Sequence, residues 1–323
     1  MHKSGILRMC LLFLFVFCSS TLVFYKQKLN TNSIDGKIYL HKWIPEQFVY
    51  INRQENINKF CKKMQNTSSI ATSILANKDL LEHILVDSKH KTLYCYVPKV
   101  ACTNWKRVMM IMIGMAGTSD ILSIPSTVVH QQHYIPSLLN FTDMEVLEML
   151  QTHTKFIFVR HPFERLLSAY KNKFEQRYNS SKYFQSRFGR KIVKTFRTNP
   201  SYRSLMNGDD VTFSEFVAYV TSKNSVFNEH WMPIDKLCNP CLVKYDFIGK
   251  YETLNRDAQY ILDHIGVGDI SFPRIRPTNT SNHLSKYISH LSYSSIISLY
   301  KIYYNDFKLF QYSLQSFLGY DLE

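Results

Sequence analysis

Leu93 to Met110, LYCYVPKVACTNWKRVMM, is the stretch on which the fold turns. An apolar, β-favouring run from Leu93 to Val97 meets Pro98-Lys99 and a short loop, after which good helix formers from Trp105 to Met115 predict a helix. The first turn of a helix leaves backbone N–H groups unpaired and carries partial positive charge, so an anion placed there is stabilised by both. Lys99 and the Thr103 hydroxyl add further donors. The nucleotide P-loop, GxxxxGK[ST], has glycines and a lysine at its far end; here Lys99 stands at the near end and Ala101 occupies the place of a small residue. A plain buried strand-loop-helix unit would read the same way, so a second stretch has to decide.

That stretch is Lys155 to Phe174, KFIFVRHPFERLLSAYKNKF. Phe156 to Val159 predict a buried strand with Arg160 at its carboxyl end. Pro162 opens a helix whose apolar face is Phe163, Leu166, Leu167 and Tyr170. Ligands of open α/β sheets collect at this edge. An arginine fork there can grip a phosphate bidentately, with the Ser168 hydroxyl turned to the same anion. The bland alternative pairs Arg160 with Glu164 and leaves Ser168 to pack.

Together the two stretches resemble the signature motifs of the Golgi carbohydrate sulfotransferases of the HNK-1 and chondroitin 4-O type, sulfotransferase family 2. GDDVTFSEFVAYV (Gly208 to Val220), FNEHWMPIDKLCNPC (Phe227 to Cys241), YDFIGKYETL (Tyr245 to Leu254) and YKIYYNDFKLFQY (Tyr300 to Tyr312) are similar to further family blocks in the same order. The resemblance implies an α/β, P-loop-like sulfotransferase fold, with a central parallel sheet flanked by helices behind an N-terminal transmembrane helix. It implies 3′-phosphoadenylyl sulfate (PAPS) as sulfate donor, without a metal. Pro98, Lys99, Val100, Ala101, Cys102, Thr103 and Asn104 would then take the 5′-phosphosulfate. Arg160, His161, Pro162, Phe163, Glu164, Arg165, Leu166, Leu167 and Ser168 would take the 3′-phosphate. Relatives often carry an acid where this chain has His161, so no acidic role transfers to that place.

The chain looks most similar to the chondroitin 4-O-sulfotransferases, which implies transfer to the 4-hydroxyl of N-acetylgalactosamine in chondroitin or dermatan. N-acetylgalactosamine on N-glycans, or glucuronate at its 3-hydroxyl, would use much the same machinery. Sulfuryl transfer needs an in-line hydroxyl, a base for its proton and stabilisation of the leaving phosphate. Lys99, with the loop amides and Thr103, suits the last role. His130, in STVVHQQHYIP, resembles the catalytic histidine region of related glycosaminoglycan sulfotransferases and is the candidate base, with His133 three residues on. Glu229 and His230, beside Trp231, are the other candidates for binding the sugar or taking its proton.

Outside these motifs, residues 6–24 form an apolar run about long enough to cross a ~30 Å hydrocarbon core. A cleaved signal peptide is the rival reading. The expected organisation is a cytoplasmic tail (1–5), a single-pass type II anchor (6–24), a lumenal stem (25–85) that turns helical near Asp79 to Val86, and a Golgi-lumenal catalytic domain (86–323). Sequons at Asn66, Asn140, Asn179 and Asn279 agree with a lumenal placement. A third strand is expected over Leu242 to Ile248, and helices over Tyr251 to Ile265 and Ser294 to Phe310.

Lys and Arg number 39 against 25 Asp and Glu, a net charge of +14, and the excess clusters between Lys171 and Arg203. Such a field concentrates a polyanion. No nucleic-acid motif accompanies it, and a lumenal protein meets glycosaminoglycans or glycoprotein glycans instead. Lys171 and Arg177 are the residues assigned to that substrate. Outside the membrane run, five cysteines remain: Cys61, Cys95, Cys102, Cys238 and Cys241. Cys238-Asn239-Pro240-Cys241 lacks the second pair of a metal cage and reads as structural and disulfide-bonded, its pairing open. A phosphate-loop kinase is disfavoured by the missing glycines and terminal Lys-Ser/Thr. A non-catalytic glycosaminoglycan-binding protein explains the charge but not the paired phosphate motifs.

Overall fold

Four strands build the single sheet of the computed structural model, which describes residues 46–62, 70–131, 133–274 and 280–315. They are β1 (Ile84–Asp87), β2 (Thr92–Cys95), β3 (Thr154–Val159) and β4 (Phe247–Lys250), side by side in that order. β2, β3 and β4 are parallel, whereas β1 runs antiparallel to β2. The expected parallel sheet is thus three strands wide and carries an antiparallel edge. A reversal between neighbouring antiparallel strands needs only a tight turn, here residues 88–91 with Lys91 at φ 47°. The stretch expected to be helical to Val86 is a helix only over Lys78–His83 before β1 begins. The third expected strand also shifts. Pro240–Val243 is a short helix between Asn239 and Lys244, both left-handed, and β4 starts at Phe247. A short apolar run does not distinguish these states.

Each parallel strand leads towards a helix that covers the sheet. β2 is followed by the helix Cys102–Met112, β3 by Pro162–Tyr170 and β4 by Leu254–His264. Trp105, fully buried, fixes the first of these by packing its indole among Tyr94, Phe156, Phe158 and Phe272, with ring centroids 4.7–5.6 Å away. β4 carries Gly249 beside β3 because a Cβ there would lie 2.3 Å from the Phe158 ring. A second apolar cluster, around Trp231, joins Pro162–Tyr170 to the helices Phe213–Thr221 and Tyr293–Leu309.

From Glu46 onward, the segment expected to be a stem belongs to the folded unit. The helix Glu46–Lys62 buries Tyr50, Arg53, Ile57 and Cys61. Arg53 donates to Asp257 (2.6 Å) and to the carbonyl of Ile248 in β4 (2.7 Å). Two disulfides reinforce this assembly, Cys61–Cys241 and Cys95–Cys238. The proposed anchor (6–24) and the sequons at Asn66 and Asn279 lie outside the described residues. Among the described residues no helix is long and apolar enough to cross a membrane. Asn140 and Asn179 are both exposed.

Candidate active site

The loop after β2 adopts a backbone that its side chains disfavour. Lys99 sits at φ 72° and Ala101 at φ 59°, in the left-handed region that costs a non-glycine residue about 1–2 kcal/mol. Left-handed residues in a turn aim successive N–H groups at one point, the geometry of an anion-binding nest. Ala101 is also the N-cap of Cys102–Met112, and no side chain caps that helix; Asn104 N–H turns back to the Ala101 carbonyl (3.0 Å), which leaves the N–H groups of Cys102 and Thr103 for another acceptor.

The second motif holds this loop from below. Arg160 donates Nη1 to the carbonyl of Lys99 (3.3 Å), and Arg165 donates Nε to that of Pro98 (3.0 Å). Arg165 is 1% exposed and spends its remaining donors on the carbonyls of Met232 (2.5 Å) and Glu229 (2.7 Å). Expected among the phosphate-binding residues, Arg165 is found with its guanidinium tying backbone to backbone. Arg160 keeps the Glu164 pairing that was the bland alternative, at 3.3–3.4 Å, and lies 4.1 Å over the Tyr251 ring. Burial raises the Glu164 carboxyl despite Arg160.

The other residues of the two motifs divide between site and scaffold. Val100, Phe163, Leu166 and Leu167 are core, and Pro162 is buried in the first turn of its helix. Asn104 accepts from Arg107 (2.9 Å), and Ser168 is half-buried on its helix. His161 donates its backbone N–H to Glu252 (2.8 Å) and its Nε2 to the carbonyl of Ser313 (3.1 Å); burial pushes its pKa down to about 4. That is the arrangement of a neutral structural histidine.

Above the loop opens a cleft of about 710 Å³ reached by Cys102, Lys106, His130, Lys173, Glu229 and His230. His130 is hydrogen-bonded through Nε2 to the Thr103 hydroxyl (3.1 Å), so the candidate base is fixed to the phosphate loop itself. Desolvation, and then the Lys106 ammonium, push its pKa down to about 4 although its outer edge is exposed. His230 donates Nδ1 to Asn228 (2.6 Å), and burial followed by Lys173 takes it down to about 3. Glu229 is held down to about 2. Burial, its largest influence, pushes upward but is outweighed by the His83 hydrogen bond and by His230 and Lys106. Burial lowers Lys99 to about 8, and Lys173, Arg160 and Arg165 press in the same direction. Cys102 is a free, buried thiol whose pKa burial raises, in keeping with a packing role.

Lys171 and Arg177 do not reach the cleft. Lys171 lies 5.9 Å from the Tyr287 ring, and Arg177 lines a separate cavity beside the same tyrosine. Lys173 takes their place, its ammonium 4.2 Å over Phe184. The cause is a π-helical turn over Lys171–Glu175, whose wider repeat rotates the side chains away from the α-helical register. His83, Tyr96 and Lys106 also line the cleft and were not picked out from the sequence. Only Lys106 carried a signal, lying within the loop motif.

Residues 82–313 match the model of the sulfotransferase family. Carbohydrate sulfotransferase 11 of Mus musculus is 41% identical over 276 residues, 83% of this chain and 77% of that protein. Its Danio rerio counterpart is 40% identical over 273 residues, 82% of this chain and 76% of its own. Carbohydrate sulfotransferase 14 of Homo sapiens is 39% identical over 243 residues, 73% of this chain and 62% of its own. No solved structure matches the chain significantly.

Proposed function

The chain belongs to the sulfotransferase family, and from that premise we propose that it moves a sulfuryl group from PAPS to the 4-hydroxyl of N-acetylgalactosamine in chondroitin or dermatan, in the Golgi lumen. The observation that carries the proposal is the crowding of buried cations at the loop after β2 and in the cleft beside it. Lys99, Lys106 and Lys173 all have their pKa pushed down by burial, and at Lys99 by neighbouring cations as well. A polyanion entering there would relieve both penalties.

These residues fit PAPS. The uncapped first turn of Cys102–Met112, the Lys99 ammonium and the Thr103 hydroxyl would take the phosphosulfate end, and Arg160 with Ser168 the 3′-phosphate. When bound, PAPS supplies the sulfuryl group and a phosphate leaving group. Lys99 then stabilises charge at the leaving phosphate oxygen, a role worth several kcal/mol in a preorganised site. His130, neutral in the cleft, takes the proton of the acceptor hydroxyl; an anion beside Lys106 raises its basicity by cancelling the charge that depresses it. Glu229 and His230 orient the sugar on the opposite wall. Arg165 keeps that wall in register with the loop through its three carbonyls.

The two disulfides speak for an oxidising compartment. The exposed sequons at Asn140 and Asn179 and the apolar run 6–24 support a lumenal domain on a type II anchor. The 4-O acceptor rests on the resemblance to chondroitin 4-O-sulfotransferases.

The test is transfer of labelled sulfate by the full chain onto desulfated chondroitin, dermatan and heparosan, with disaccharide analysis. Label at the 4-position of N-acetylgalactosamine is expected. Lys99→Ala should lose at least about a hundredfold in turnover, and His130→Ala about a hundred- to ten-thousandfold. Label confined to heparosan overturns the acceptor, and failure to bind desulfated PAPS without Mg²⁺ overturns the reaction.

A further inference from the structure

Glu229 is held at both ends by residues remote in sequence. Arg165 fixes its backbone carbonyl (2.7 Å), and His83, the last residue of the helix Lys78–His83, reaches its carboxylate with Nε2 at 3.3 Å from Oε2. The other nitrogen of His83, Nδ1, lies 2.8 Å from the carbonyl of Asp79, which can only accept. Both ring nitrogens therefore face acceptors, so the ring is oriented from both sides. The ring stacks on Tyr96 at 4.5 Å and 22°. The backbone N–H of Tyr96 donates to the His83 carbonyl (3.0 Å), and the Lys106 ammonium lies 3.8 Å from the Tyr96 ring centre.

The result is a rigid wall that presents one ionised carboxylate to the cleft. His83 is 12% exposed in its side chain, whereas Glu229 is 35% exposed. His83 occupies one lone pair, and a carboxylate offers about four acceptor positions. Sugar hydroxyls are donors that match this, and His130, bonded to Thr103, lines the same cleft.

Building on the sulfotransferase reading, we infer that His83 is a positioning residue for the acceptor: it clamps Glu229 as the carboxylate that receives hydroxyl hydrogen bonds from the acceptor sugar. His83 itself touches neither the sugar nor the donor. A charge-assisted hydrogen bond lost at such a place costs on the order of tenfold or more in affinity.

The experiment is a double-mutant cycle on the full chain with PAPS and desulfated chondroitin. His83→Ala is expected to raise the KM for acceptor about tenfold and to leave the KM for PAPS within about twofold. Glu229→Ala should do at least as much, and His83→Ala added to Glu229→Ala should change the acceptor KM no further. His83→Gln, which retains one donor towards Glu229, should recover part of the loss. Effects that multiply in the double variant, or an equal rise in both KM values on His83→Ala, overturn the positioning role alone. A wild-type chain that neither binds desulfated PAPS nor transfers sulfate overturns instead the reading beneath it.

Discussion

Ala101 is the residue whose conformation the site can least do without. Its φ of 59° places the helix Cys102–Met112 directly behind the loop, and a β-branched side chain there would add to the penalty that Ala101 already carries. Ala101→Val should therefore lower stability by about 1–2 kcal/mol and reduce sulfate transfer more than melting temperature, because the loop N–H groups lose their common aim. Ala101→Gly, which sheds the left-handed penalty, should keep transfer near the wild type and hold or raise the melting temperature. Parallel thermal melts and transfer assays distinguish the two variants. Single residues were legible where a contiguous motif fixed their surroundings: Lys99 and Thr103 lie four residues apart in one motif, and His130 bonds to Thr103. Lys173 was not legible as a site residue, since nothing in KNKF announces a π-helical turn. Nor was His83, whose partner lies 146 residues away.

Among elements, β2, β3 and the helices behind them could be read because each is an apolar run followed by a periodic helix. The helix Glu46–Lys62 could not. Its buried face includes Arg53, a residue that sequence patterns assign to solvent, and its apolar residues keep no clean period. What docks it is a buried ionic hub. Asp257, 0% exposed, accepts from Arg53 (2.6 Å), Thr253 (2.7 Å), the N–H of Lys250 (2.9 Å) and Tyr50 (3.2 Å). Arg256 also pairs with Asp257 (3.1 Å), so Arg53→Ala removes one of its two cations and should cost about 1.5–3 kcal/mol in a urea titration. Loss within about 1 kcal/mol would mean that the helix contributes little to the fold.

For the molecule as a whole, proton binding opposes folding in mild acid. Burial depresses His161 to about 4 and His230 to about 3, and His130 and His153 are lowered as well. The unfolded chain protonates these rings near pH 6.5, while the folded one protonates them only at lower pH. It therefore binds more protons across that window, and stability rises with pH there. Two carboxyls pull the other way. Glu164 is raised, and Asp306 is raised to about 7 by burial and by Asp235. The four histidines outnumber them. The urea midpoint should fall on going from pH 7 to pH 5, and a midpoint that rose would contradict this sign. The sequence showed twelve histidines but not which ones burial would keep neutral, since that depends on packing across the whole chain.

The pairing of Cys61 with Cys241 and of Cys95 with Cys238 also imposes an order in time. Cys61 leaves the ribosome 180 residues ahead of its partner, a wait of about 10–40 s at a synthesis rate of ~5–20 residues per second. Once Cys95 and Cys102 have followed it, Cys61 shares the nascent chain with two thiols that are not its partner, so any bond formed among them early has to be exchanged later. Both native bonds then become available almost at once, because Cys238 and Cys241 emerge within one turn of chain. Neither native bond can therefore close before about three-quarters of the chain has been made.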